Sequence, residues 1–278
     1  MKKIIWLAGL AFMCACTDEP DGNGNEDGQD RGCSKIELTE VIPSDSYDVT
    51  SVKTFSFDDE GITSYVSSQE IAGGQLFSHS VTTSAAYSGG TVTMSDDNGN
   101  VMTYTLDANG YAGSCIFEEG GGTERRYSFG YFTGNDGRRY LQNVSEIIDG
   151  EVYSSLELDY SVDGRVGVEQ TVDGSSQTYI IEFDDSEAVE NKAVMPDLFL
   201  SELYPLSLHL AAYYGGIIGN AYEYLCTDMY PEDSPELNEH TSYSYSLDDD
   251  GYLNGCKVTT NSGGSNYVRN IGVNISSE

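Results

Sequence analysis

The sequence predicts a mainly β protein: a curled or partly closed antiparallel meander sheet, with a short helical insert at about residues 194–225 covering its apolar face. Three observations predict it. Glycine-bearing turn pairs punctuate the chain, the stretches between them alternate apolar and polar residues, and one long segment breaks that alternation.

The turn pairs are Glu60-Gly61, Gly89-Gly90, Asn98-Gly99, Asn109-Gly110, Asp136-Gly137, Asp149-Gly150, Asp163-Gly164 and Asp173-Gly174. Many intervals between them are roughly 10 to 14 residues, the rhythm of consecutive hairpins. Between turns the side-chain period is two. Val152, Leu156, Leu158, Tyr160 and Val162 share one face, while Tyr153, Ser155, Glu157, Asp159, Ser161 and Asp163 take the other. Gln177, Tyr179, Ile181 and Phe183 alternate with Thr178, Ile180, Glu182 and Asp184, and Met102, Tyr104 and Leu106 with Thr103 and Thr105. Such a pattern means a sheet with one apolar and one wet face.

The apolar face needs a cover. Val194 to Leu225 is dense in Leu, Ala and Tyr and lacks strand alternation. Asp197 can cap a short helix through Leu198, Phe199, Leu200 and Leu203. Pro205 suits the first turn of a second piece containing Leu206, Leu208, Leu210, Ala211 and Ala212, which Gly215-Gly216 would end. Glu232, Asp233 and Pro235 then lead through a polar loop to a last hairpin.

The first residues point to export. Lys2 and Lys3 precede an apolar run from Ile4 to Met13, too short to span a bilayer and of the length of a signal-peptide core. Ala15-Cys16 then resembles a bacterial lipobox, which implies that Cys16 becomes the lipidated N-terminus; Cys14 follows bulkier residues and suits the role less. Asp18-Glu19 resembles the export signal of surface lipoproteins in Bacteroidetes. Thr17 to Gly32 offers no apolar residue to bury and reads as a tether. The organisation is therefore a leader at 1–15, a lipidated cysteine and acidic, Gly-rich tether at 16–34, and one β-rich domain at 35–278. The location is the outer membrane, facing the cell exterior.

Composition narrows the partners. With 46 acidic and 13 basic side chains the formal charge is −33, a field that repels phosphate backbones and excludes nucleic acid. Anionic membrane surfaces are poor partners for the same reason, leaving the lipid on Cys16 as the membrane attachment. Asn23, Asn25, Asp27 and Gly28 begin like a calcium loop, but Ser34 stands where the bidentate Glu is needed. No cofactor or metal motif is present. Cys33, Cys115, Cys226 and Cys256 permit two disulfides in three pairings, or serve as buried thiols.

Four segments share the order aromatic, polar, apolar, Asp, then a turn Gly: Phe55 to Gly61, Tyr104 to Gly110, Tyr245 to Gly251 and, shortened, Tyr160 to Gly164. Each is a strand end followed by an Asp able to bond turn amides. Cys115 and Cys256 follow their repeat Gly by the same number of residues, so they hold equivalent positions and are candidate neighbours. On Cys16, Gly110-Tyr111, Gly251-Tyr252 and the Leu-rich insert, the chain resembles a family of Bacteroidetes lipoproteins catalogued as a domain of unknown function with a porin-like fold. The repeat also resembles the YD repeats of Rhs-type proteins. The family implies a curled or partly closed antiparallel sheet and no assigned activity. Outward polar residues such as Glu157, Asp159 and Asp163 argue against a lipid-facing band.

A surface module binding a glycan, lipid or protein is the leading functional reading. A passive envelope or assembly component and a hydrolase using carboxylates are the alternatives. His209 lies in the apolar insert and reads as packed, while His79 and His240 read as exposed. The pairs Asp58-Asp59, Asp184-Asp185 and Asp248-Asp249 read as solvated turns, and no hydrolase or metalloprotease motif accompanies them.

Overall fold

A computed structural model describes residues 33–42, 47–161, 164–183, 189–233 and 240–277. The leader, Cys16, the tether as far as Gly32, Val162, Asp163, Asp184, Asp185 and Pro235 lie outside the described residues, while Cys33 and Ser34, at the expected tether's end, belong to the first strand.

Period-two patterning does form antiparallel strands. They are β1 (Cys33–Ile42), β2 (Val49–Asp58), β3 (Gly61–Ile71), β4 (Phe77–Ser88), β5 (Thr91–Asp96), β6 (Val101–Leu106), β7 (Ala112–Glu118) and β8 (Glu124–Thr133). Then come β9 (Arg139–Ile148), β10 (Glu151–Asp159), β11 (Arg165–Val172), β12 (Ser175–Glu182), β13 (Asp228–Pro231), β14 (His240–Leu247), β15 (Leu253–Ser262) and β16 (Ser265–Ser277). Each strand pairs with its sequence neighbours. The sheet is neither curled nor partly closed, as the sequence suggested. β1 pairs with β16, Leu38 opposite Val273 and Glu40 opposite Ile271, so the described strands form a fully closed barrel. Closure removes the two edges whose unpaired amides would otherwise need protection. Alternation within a strand carries no record of which strands pair last, which is why closure escaped the sequence reading.

Six of the eight turn pairs lie wholly within described hairpin connections, and Glu60-Gly61 leads directly into β3, which Gly61 begins. Asp107 Oδ1 accepts the amides of Asn109 at 2.8 Å and Tyr111 at 3.1 Å, and Asp248 Oδ1 accepts those of Asp250 at 3.0 Å and Tyr252 at 2.8 Å. Gly110 and Gly251 close these two turns at φ +87° and +84°, where a side chain is unfavourable. The repeat turns lie between β2 and β3, β6 and β7, β10 and β11, and β14 and β15. In an up-and-down barrel these connections share one end, the end at which β1 begins. We call it the near end.

Two further expectations from the sequence do not hold. Cys115 faces Tyr104 and Cys256 faces Tyr245, so the positions are equivalent, but they sit on β7 and β15 with many strands between them and are not neighbours. Cys115, Cys226 and Cys256 are buried thiols, and burial pushes Cys115 and Cys256 up to about 12. In addition, the chain after Asp233 supplies three strands, β14 to β16, and not a single hairpin.

The insert covers the apolar face from inside the barrel. Between β12 and β13 it touches distant parts of the wall: Tyr214 stacks on Phe55 of β2 at 4.0 Å, Phe199 meets Tyr179 of β12, and Glu202 pairs with Arg269 of β16 at 2.6 Å. Only a segment within a closed sheet can reach all of these. Its helical content is modest: 3-10 turns at Leu200–Glu202 and Leu206–His209, then α1 (Leu210–Tyr214). Asp197 Oδ1 accepts the Leu200 amide at 2.9 Å, as a cap should, and the Gly215 amide bonds Ala211 O at 2.9 Å as the helix ends.

Inward strand positions are apolar and packed on this plug; Ile36, Phe55, Val92, Leu156, Val168 and Ile181 are buried. Many outward positions are polar. Ser88, Thr91, Thr105, Ser114, Ser128, Ser145, Ser155, Thr171 and Ser176 form an unbroken in-register row of hydroxyls across β4 to β12. A membrane-spanning barrel has the opposite arrangement, apolar outside and wet inside.

Candidate functional site

The plug does not fill the barrel evenly. In β1 to β4 the inward side chains form four rows, each set by cross-strand register. From the near end they are Ile36, Phe55, Tyr65 and Thr83; then Leu38, Lys53, Ser67 and Val81; then Glu40, Ser51, Gln69 and His79; and at the far rim Ile42, Val49, Ile71 and Phe77. The first row packs on the plug, with Phe55 stacked between Tyr65 at 4.8 Å and Tyr214. Farther up the wall rises beyond the plug, and Ile42 and Phe77 are exposed at 45% and 44%.

Between this wall and the plug lies a cavity of about 260 Å³. Tyr65, Val81, Met94, Met102, Phe117 and Leu208 line it, together with Ser67, Thr83, Asp96 and His209. An adjoining space of about 400 Å³ shares Asn100, Phe117 and Leu208 with it and is bordered by Asn98, Gly120 and Gly121 in the far-end turns. The cavity therefore has an apolar floor and a polar mouth at the end opposite the start of β1. That combination is typical of small-molecule sites.

Charged groups around the cavity are mostly engaged. Asp96 accepts the Asn98 and Asn100 amides at 2.9 Å each and the Asn100 side chain at 2.8 Å. At the mouth, Arg125 pairs with Glu119 at 2.6 Å and with Glu146 at 3.1 Å. Glu146, on β9, is fully buried and also accepts hydrogen bonds from Tyr127 at 3.2 Å, Ser154 at 2.9 Å and the plug residue Tyr204. A carboxylate with four donors is satisfied and ties the plug to the wall. Burial, then the bond to Glu146, pushes the Tyr204 hydroxyl up to about 12.

His209 is 1% exposed. Its Nδ1 shares a hydrogen bond of 2.8 Å with the Tyr104 hydroxyl, its ring meets Tyr127 edge-on at 4.4 Å, and Nε2 has no partner. Burial lowers its pKa to about 3, so the ring is neutral at ordinary pH. His79 faces the open vestibule on β4, and His240 bonds Asp228 at 2.7 Å on the exposed surface. Asp58 and Asp248 cap turns. Among the described residues no cluster of His, Cys, Asp and Glu has the arrangement of a metal site.

The sequence reading passed over Lys53, Arg125 and Glu146. A signal was present: each is a charge on the apolar parity of its strand, Lys53 with Phe55, Arg125 with Tyr127, and Glu146 with Val144. On a parity facing a filled lumen, a charge marks either a clamp or a site.

Residues 55–254 match the family described as "Domain of unknown function (DUF4595) with porin-like fold". Among curated proteins none matches. The crystal structure of a porin-like protein from Bacteroides uniformis ATCC 8492 superposes with a TM-score of 0.82 at 33% identity, covering 88% of this chain and 97% of that one. A porin-like protein from Bacteroides vulgatus ATCC 8482, at 14% identity, gives a TM-score of 0.55 over 88% of this chain and 98% of that one, a likeness of fold alone.

Proposed function

Since the chain belongs to the DUF4595 family of porin-like domains, we propose that it is a lipid-anchored outer-membrane protein whose plugged barrel binds a small ligand and conducts nothing. The observation that carries this reading is the cavity between plug and wall, adjoined by a second space that the far-end turns border. A conducting barrel needs a wet lumen, whereas here Ile217, Ile218, Leu206 and Tyr214 of the plug are buried against the strands. The porin-like relatives from Bacteroides support an outer-membrane setting.

In this reading the anchor is the lipid on Cys16, and the cell exterior is the side faced. Residue 33 opens β1 at the near end, so a tether from the membrane would join there and the cavity mouth would point outward. The ligand is a glycan, lipid or protein segment small enough to enter. Of these the apolar floor favours a lipid-like chain, because burying apolar surface is the main gain such a floor provides.

The test has two parts. Mass spectrometry of the mature protein from its native membrane, with protease shaving of intact cells, reads the anchor and the side faced: a triacyl mass on Cys16 and loss of the barrel are expected. Thermal denaturation against a panel of amphiphiles, sugars and peptides reads the cavity. A rise in Tm that Met102→Trp abolishes is expected, since the larger ring occupies the floor. An unmodified N-terminus, or no shift from any panel member, overturns the corresponding half.

A further inference from the structure

We propose that the ligand is a single-chain amphiphile with an ionised carboxylate, its head on Lys53 and its chain in the cavity floor; this rests on the binding reading above. Lys53 is opposite Leu38 on one side and Ser67 on the other, so it shares their inward face. Ser67 and Val81, in the same row, line the cavity. In-register neighbours have Cβ atoms roughly 5 Å apart, which a lysine side chain easily spans.

What sets Lys53 apart is its lack of a counter-charge. Arg125, also inward-facing, is held by Glu119 and Glu146, and Arg269 by Glu40 and Glu202 at 2.7 and 2.6 Å. Among the described residues no carboxylate pairs with Lys53. In a chain of formal charge −33, partners for a lysine are abundant, yet the acids nearest in the wall are committed elsewhere. Glu40 is bidentate to Arg269, and Asp96 is saturated by the turn it caps. Lys53 is half-buried and no described carboxylate is paired with it, so an incoming carboxylate would supply the missing partner.

The floor adds a second requirement. Tyr65, Val81, Met94, Met102, Phe117 and Leu208 present an apolar lining with flexible thioethers, suited to an alkyl chain of variable shape. An apolar floor with one uncompensated lysine beside it fits an amphiphile with a single anionic end.

The deciding experiment measures dodecanoate and dodecanol binding to the full chain by calorimetry at neutral pH, with Lys53→Met and, as an external control, Lys257→Met. Dodecanoate should bind about tenfold or more tighter than dodecanol, the worth of a hydrogen bond to a charged group. Lys53→Met should remove that preference while leaving dodecanol binding intact, which also shows that the variant is folded. Lys257→Met should change neither. Equal affinities, or a preference that survives Lys53→Met, overturn the headgroup assignment and leave the binding function standing. Binding of neither compound overturns the amphiphile assignment and leaves the binding reading to the wider panel.

Discussion

Tyr104 in the wall and His209 in the plug share a buried hydrogen bond of 2.8 Å, and Phe129 closes on the same imidazole edge-on at 5.3 Å. The ring has been taken out of water with no carboxylate to support its protonated form. Its pKa falls from 6.5 to about 3.

The unfolded chain therefore binds a proton at His209 that the folded chain refuses. Stability from this residue is complete above pH 6.5 and declines as the pH falls towards 3, by at most about 5 kcal/mol. Urea denaturation of the parent and of His209→Phe at a series of pH values checks it. The difference between the two profiles should be flat above pH 6.5 and slope below it. A constant difference would mean that the imidazole is hydrated or opens readily to solvent.

Glu146 makes a separate prediction because it connects β8 and β10 with the plug residue Tyr204. Glu146→Ala leaves Arg125 and three hydroxyls facing a void, and should cost about 3 kcal/mol or more. Tyr204→Phe removes a single donor from the plug side and should cost about 1 kcal/mol. Denaturant midpoints give both values. Equal small losses would show that the cluster is not a clamp.

The strands were legible because hairpin turns and face alternation are local properties, written within a dozen residues. Asp107 and Asp248 announce their turns by type and spacing, and the structure places their amide bonds accordingly. Closure is a relation between Leu38 and Val273, at opposite ends of the domain, and no local pattern encodes it. The insert was recognisable as a cover for the apolar face, but inside and outside become distinct only once the barrel closes. Lys53 and Glu146 were visible as charges on apolar parity, yet whether such a charge is a clamp or a site depends on what stands opposite.

Gly219 tests how tightly the plug is seated. A Cβ there would fall 2.8 Å from the Leu141 amide nitrogen and 3.3 Å from the Arg139 carbonyl, and the next residue's amide bonds that carbonyl at 2.7 Å. Gly137 has nearly the same φ, +82° against +81°, but open space around it. Gly137→Ala should cost about 1 kcal/mol, the conformational part alone. Gly219→Ala should cost roughly 2 kcal/mol more, since backbone and not a flexible side chain has to move. Matching losses in thermal or urea denaturation would mean that the plug yields at this point.

The outer hydroxyl row predicts how the barrel behaves in water. Thr105, Ser114, Ser128, Ser145 and Ser155 stand where a spanning barrel carries its apolar band, about 25 Å tall. Thr171 and Ser176 bond one another at 2.7 Å in the same row, a contact suited to a wet surface. Residues 33–278, without leader and tether, should therefore remain monodisperse in detergent-free buffer by size-exclusion chromatography and should not float with liposomes. Replacing Ser128, Ser145 and Ser155 together by Leu would create three adjacent apolar side chains on that face, and association should then rise while the fold persists by circular dichroism. Detergent dependence of the unaltered barrel would instead place its outer surface in contact with lipid, against the register of every strand in that row.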